Sequence, residues 1–424
     1  MPASVSTHHP QPNTPAAEEL ARVQRRTMVV LVITQIIGTV GVGVAPSIGV
    51  LLAGEVTDNE AWAGLARTAS TLGAALLGLP LGTVAARLGR RFALAGGWWL
   101  AAVGSGILVA AAQGSLVVPL FIGLLLIGSG SAVALQSRFA ATDLAPPEHR
   151  ARSLSLIVWV GTLGSVLGPN LGAPGELLGA LTGLNVFANA FLLAAVCLAL
   201  AGTIVFLLLR PDPLLTLLSS EAGASAARPA RSRGRIRMIL GEIRRNRPAR
   251  IALIAIVVAQ VVMVAVMTMT PVHMAHMGGT VTIVGIAISL HVAGMYVLSP
   301  LVGFLADRFG HRLPIWIGIL VFAASLAIGA VWPDDGGWVI VGLVLLGVGW
   351  SFVNVSASAL FSSSISTEVR AASQGGVDAL ANLFGATAAF AAGPLLAVSD
   401  FSVLSLLALT VLLPLAVLVL RPIR

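Results

Sequence analysis

Lysine is absent, cysteine occurs once, and charged residues make up only 10% of the 424-residue chain. All 25 basic residues are therefore arginine. The lone Cys197 excludes an intramolecular disulfide and reads as a small apolar residue within a helix. No nucleophile–base pair, phosphate-binding loop or catalytic carboxylate pair is assembled, which argues against an enzyme. The first 20 or so residues are rich in Pro, Ser, Thr, His and Ala and lack an apolar stretch, so no cleavable signal is expected there; disorder is, with His8 and His9 solvated. What is abundant is apolar surface: 57% of residues are hydrophobic, and apolar runs of about 20 residues recur along the chain. No soluble domain of this size needs that much, so the composition predicts an all-α polytopic membrane protein.

The runs predict twelve spans, at 27–53, 61–85, 92–112, 115–141, 153–173, 184–209, 251–275, 280–304, 313–332, 337–363, 371–397 and 402–420. The chain then divides into a tail (1–26), a first six-helix half (27–209), an arginine-rich linker (210–250) and a second half (251–424). The linker holds nine Arg between Arg228 and Arg250, which set topology or contact anionic lipid. A net charge of +8 does not point to nucleic acid, because its distribution follows the membrane. With the N-terminus cytoplasmic, every Arg except Arg67 lies at or near a cytoplasmic segment, while Glu55, Asp58, Glu60, Glu176, Asp334, Asp335 and Asp400 fall outside. A bacterial inner-membrane location with both termini cytoplasmic is expected.

The halves repeat at an offset of about 220 residues. Gly82 with Arg87, Gly89, Arg90 and Arg91 after span 2 matches Gly303 with Asp307, Arg308, Gly310 and Arg312 after span 8. Glu148, Arg150 and Ser153 before span 5 match Glu368, Arg370 and Ser373 before span 11. Duplicated Gly-x4-Arg-x-Gly-x-Arg loops resemble the signature of the major facilitator superfamily, over the whole chain. The resemblance implies two pseudo-symmetric halves, alternating access and a central substrate site. Physically, the short Gly-containing turns hold helices close while Arg and Asp pair, a latch that breaks as the halves rock. Ala86 stands where the first copy is expected to carry Asp, and Asp143 is the candidate replacement partner for Arg87 or Arg90.

Span 5 carries Gly164, Gly168, Pro169 and Gly172, a pattern resembling the superfamily's antiporters and read mechanically as a closely packed, kinkable helix; Gly393-Pro394 is similar in span 11. The Arg that proton-coupled drug exporters carry in span 4 is missing, with Leu124 before Gly128-Ser129-Gly130. Asp378 is an intramembrane carboxylate, a candidate for proton coupling or counter-charge, or else a helix-entry residue paired with Arg370 or Arg308. Arg67, Gln136, Arg138, Asn170, Gln260, Asn354 and Asn382 line the cavity or bond between helices.

One stretch concentrates soft ligands: residues 263–295 hold six of nine methionines and three of seven histidines. Folded as a hairpin about Gly279, Met267 comes level with His291 and Met263 with Met295, near mid-membrane. Thioethers and imidazole select copper, above all Cu(I). Met269, His273, Met274, His276 and Met277 then form an entry path; ordinary core packing is the alternative for all of these. The paired motifs, Met263 and Met267 with His291 and Met295, resemble CcoA-like (CalT) copper importers of the same superfamily. That resemblance implies copper uptake for cytochrome oxidase assembly, with copper as cargo, no permanent cofactor and a copper acceptor as partner. The thiol redox steps of that family have only Cys197 to draw on here. A monomer in the bilayer is expected, and the alternative substrate is a small organic molecule moved by proton coupling, as in multidrug efflux.

Overall fold

The computed structural model describes residues 15–59, 61–146, 149–219, 241, 243–365 and 367–420. Among them are twelve helices long and apolar enough to cross a membrane. They are α1 (Glu18–Thr57), α2 (Ala61–Leu88), α3 (Arg90–Gly114), α4 (Val117–Ala140), α5 (Arg152–Thr182) and α6 (Val186–Leu208) in the first half. The second half has α7 (Arg247–His276), α8 (Val281–Phe309), α9 (Arg312–Val331), α10 (Gly336–Ser364), α11 (Gly376–Val398) and α12 (Phe401–Leu420). An even number of crossings puts both ends of the bundle and the α6–α7 linker on one side, here the linker face; the other is the far face. The helix of α1 reaches back to Pro15, into the stretch expected to be disordered. Residues 1–14, 220–240 and Glu148, which the sequence reading drew on, lie outside the described residues.

Sequence sets the helix starts directly. Asn185, Asn246, Thr280 and Asp335 each accept a backbone N–H three residues on, at Ala188, Ala249, Ile283 and Trp338. Each thereby satisfies an otherwise unpaired donor in the first helical turn. In lipid no water can do this, so polar caps at the turns and apolar residues between them specify the spans.

The halves share one packing plan. In the first, α4 lies against α2 and α3, α3 against α6, and α1 against α5 and α6. In the second, α10 lies against α8 and α9, α9 against α12, and α7 against α11 and α12. Buried apolar residues fall into two clusters, one per half, with Val50, Leu51 and Ala63 of the first half joining the second.

The halves meet along α5–α8 and α2–α11, and the contacts gather toward the far face. A Cβ on Gly285 of α8 would lie 2.5 Å from the Pro169 carbonyl, and one on Gly393 of α11 would lie 2.6 Å from that of Ala61. Side chains bridge the same crossings. Asn170 Nδ2 donates to Ser289 Oγ at 2.6 Å, Ser289 Oγ donates to the Val166 carbonyl at 2.6 Å, and Thr68 Oγ1 donates to the Ala386 carbonyl at 3.0 Å. Toward the linker face, nothing approaches the Cβ position of Gly82, Gly303 or Gly376 within 4 Å. The close crossings between the halves thus lie toward the far face.

Ser289→Ala removes two cross-half hydrogen bonds, each worth about 0.5–1.5 kcal/mol net. The closed far face should lose population by roughly tenfold. Spin labels at Leu181 and Ile283, placed in a Cys197→Ser background, should show a longer-distance population; an unchanged distribution would mean the bonds do not hold this face shut.

Candidate functional site

The spacing that aligned the methionines with His291 assumed that α7 and α8 pack as a hairpin. They do not. The two touch little, and α10 packs against both. The α10 backbone at Gly347 lies against the His291 carbonyl, so close that no Cβ fits there. Chain neighbours joined by a short turn need not be packing neighbours, and in each half a distant helix takes the place.

Depth along a helix also left azimuth undetermined. Val257, Val261 and Ala265 form the more accessible stripe of α7, and helical periodicity puts Met263 and Met267 on the opposite side. Met263, Met267 and Met295 are 4%, 5% and 7% exposed, in one apolar cluster, and His291 is fully buried. His291 Nδ1 is 2.8 Å from the Leu343 carbonyl, while its Nε2 is buried without a partner. The entry path is not a continuous open row. Met269 and Met274 are buried, and His273 stacks on Phe401 at 4.4 Å with Nε2 2.7 Å from the Pro333 carbonyl. Met277 is partly buried, and His276 is exposed.

A different set of groups gathers in the second half. Trp350 on α10 donates from Nε1 to Gln260 Oε1 on α7 at 3.0 Å. Tyr296 on α8 meets the Trp350 ring edge-on, with centroids 5.9 Å apart. Arg138, from α4 of the other half, is in electrostatic reach of both Tyr296 and Asp378. Its Nε is buried and unpartnered, as is Gln136 Oε1 nearby on α4, whose Nε2 donates to the Gly78 carbonyl at 3.1 Å. Asp378 is exposed on α11 and makes no ion pair with Arg138 among the described residues; the side chain of Arg370 lies outside them. Tyr296 and Trp350 were missed in sequence because an aromatic in an apolar run carries no local sign of where it points.

The loop motifs take specific forms. Arg90 pairs with Asp143 through two bonds, Nε to Oδ2 at 2.8 Å and Nη2 to Oδ1 at 3.2 Å. The last arginine of each copy donates to a backbone carbonyl near the end of its half's sixth helix, Arg91 to Phe206 and Arg312 to Val419. Gly89 and Gly310 hold φ of 91° and 79°, which a side chain disfavours. Arg87, Asp307 and Arg308 are exposed. The carboxylate at the first loop comes from the linker instead. Asp212 accepts from the backbone N–H of Arg91 at 2.8 Å, and from Leu214 and Leu215 at 3.0 and 3.1 Å. An Asp followed by Pro213 is a readable helix-start signal.

In span 5, Gly164 faces the Ile36 carbonyl and the Thr39 hydroxyl of α1, and Gly168 faces the Gly43 and Val40 backbone. Gly172 faces Val281 across the halves, and Gly168–Leu171 is a 3-10 turn at Pro169.

A family model described as Major Facilitator Superfamily matches residues 28–280 and 253–424. The MFS-type transporter YddS of Bacillus subtilis (strain 168) is 35% identical over 413 residues, covering 95% of this chain and 93% of that one. The riboflavin transporter RfnT of Brucella anthropi is 31% identical over 417 residues, covering 95% and 96%. A bacterial homolog of the human lysosomal transporter Spinster superposes with a TM-score of 0.70 at 16% identity, covering 94% and 96%.

The Arg90–Asp143 pair is mostly buried, with side chains 15% and 10% exposed. Asp143→Ala strands a guanidinium and should cost on the order of 1.5–3 kcal/mol. The measurement is melting in detergent, with the exchange Arg90→Asp/Asp143→Arg expected to recover much of the loss. Equal melting of Asp143→Ala and wild type would remove the pair from the latch.

Proposed function

The chain belongs to the Major Facilitator Superfamily and is a multi-pass secondary transporter, not an enzyme; from that premise we propose that its cargo is a small organic molecule with an aromatic ring and hydrogen-bonding groups. The observation that carries this reading is the Tyr296–Trp350 pair, set beside Gln260 and the unpartnered Arg138 Nε. Aromatic side chains bind flat rings by stacking or edge contact, and unpaired buried donors favour a ligand that pairs them. The Brucella relative supports it, since riboflavin combines an aromatic ring system with hydrogen-bonding groups. In this reading the linker face is cytoplasmic in a bacterial inner membrane, because arginines flank that face. The transporter acts as a monomer, with the bilayer as its partner and no nucleic acid, and it holds no resident cofactor.

Copper is the second reading, favoured by one observation. His291 Nε2 is buried and unpartnered one helical turn from Met295. Two soft donors on α8 suit Cu(I). Completing the four-residue site requires α7 and α8, which touch little, to bring Met263 and Met267 to these donors. Only in this reading is a cytochrome oxidase copper acceptor a partner.

Protein reconstituted in liposomes is tested with tritiated riboflavin as probe and with radiolabelled Cu(I). Riboflavin should accumulate above empty liposomes. Trp350→Ala should lower its uptake by roughly tenfold, and His291→Ala should leave it near wild type. Copper accumulation that Met295→Ala abolishes, with no riboflavin movement, would replace the organic reading by the metal one.

A further inference from the structure

Two glutamines hold equivalent places in the two halves, and their amides are turned opposite ways. Gln35 on α1 lies against Gly161 of α5, where a Cβ would come within 3.0 Å of its Nε2, and that Nε2 donates to the Ala134 carbonyl of α4 at 3.5 Å. About 220 residues on, the offset at which the halves repeat, Gln260 on α7 lies against Gly385 of α11, where a Cβ would come within 3.2 Å of its Cγ. Its hydrogen bond again goes to the fourth helix of the half, but there the partner is Trp350, whose Nε1 donates to Gln260 Oε1 at 3.0 Å. Each first-helix glutamine is thus seated on a fifth-helix glycine and turned by a fourth-helix group.

The turning follows from the partner's chemistry. A backbone carbonyl only accepts, so Gln35 offers it the amide nitrogen, and an indole N–H only donates, so Gln260 offers it the amide oxygen. In the first half the remaining end is the acceptor Oε1, which is buried without a partner. In the second half the remaining end is Nε2, a donor that makes no hydrogen bond among the described residues and, unlike Gln35 Oε1, is not sealed from the surface. Gln260 is three residues from Val257 and next to Val261, on the more accessible side of α7. Trp350, which holds its oxygen, meets the Tyr296 ring with centroids 5.9 Å apart. Ring surface and free donor are therefore joined by direct contacts within one half.

Resting on the organic-cargo reading above, we propose that Gln260 is a specificity-determining residue, a one-way hydrogen-bond donor to the cargo whose polarity Trp350 sets. The cargo it selects carries an acceptor, a carbonyl oxygen or an unprotonated ring nitrogen, at the edge of the ring that lies on Tyr296 and Trp350. A cargo offering an N–H at that edge would set two donors against each other. A free amide could turn to suit either, since it holds a donor and an acceptor; the indole N–H removes that choice without placing a charge in the membrane.

Uptake of tritiated riboflavin, and of riboflavin methylated on its imide nitrogen so that its ring N–H is lost, is measured in liposomes for wild type, Gln260→Met, Trp350→Phe and the double variant. Gln260→Met keeps the length of the side chain but neither polar end, and should raise KM for riboflavin roughly tenfold, the scale of one net hydrogen bond. Trp350→Phe keeps a ring but loses the N–H, and should raise KM less. Because Gln260 bonds the cargo itself, Gln260→Met should raise KM several-fold again in the Trp350→Phe background. The methylated probe should suffer the same loss from Gln260→Met as riboflavin does, since its acceptors are intact. Gln260→Met without effect in the Trp350→Phe background would reduce the glutamine to a support for the indole and overturn the proposal. A Gln260→Met loss that vanishes with the methylated probe would mean that the glutamine accepts from the imide, and would overturn the polarity. Wild type that moves Cu(I) but no riboflavin would instead overturn the organic-cargo reading and this role with it.

Discussion

Two close backbone crossings, α5 on α8 and α2 on α11, organise this molecule. Lipid tails are as apolar as leucine, so helices in a bilayer gain little from hiding apolar surface and must gain from contact and hydrogen bonds. Gly285 over the Pro169 carbonyl and Gly393 over that of Ala61 allow the approach, because a Cβ at either position would collide with backbone. Ser289, Asn170 and Thr68 then add polar bridges that have no water to compete with. Both crossings lie toward the far face, so it is there that the halves are held together.

Behind those crossings, each half is braced by its own loop motif. Arg91 and Arg312 tie the turn after the second helix of each half to the end of the sixth, through the Phe206 and Val419 carbonyls. The first half departs in one respect: Ala86 supplies no carboxylate, and Asp212 caps the α3 start from the linker side. The linker is thereby bonded to the loop that follows α2. A carboxylate on an unpaired helical N–H is favourable whichever segment delivers it.

Much of this architecture was legible in the sequence, for identifiable reasons. Long apolar runs and polar turn residues specify where helices begin and end, and the duplicated Gly and Arg spacing reveals two halves. Asp143 was legible as an arginine partner because it ends span 4 on the side where the arginine loop after span 2 lies. Neighbour relations were not legible. Spacing along a helix says nothing of azimuth, and α10, about 50 residues downstream of α8, packs against both α7 and α8, which touch each other little.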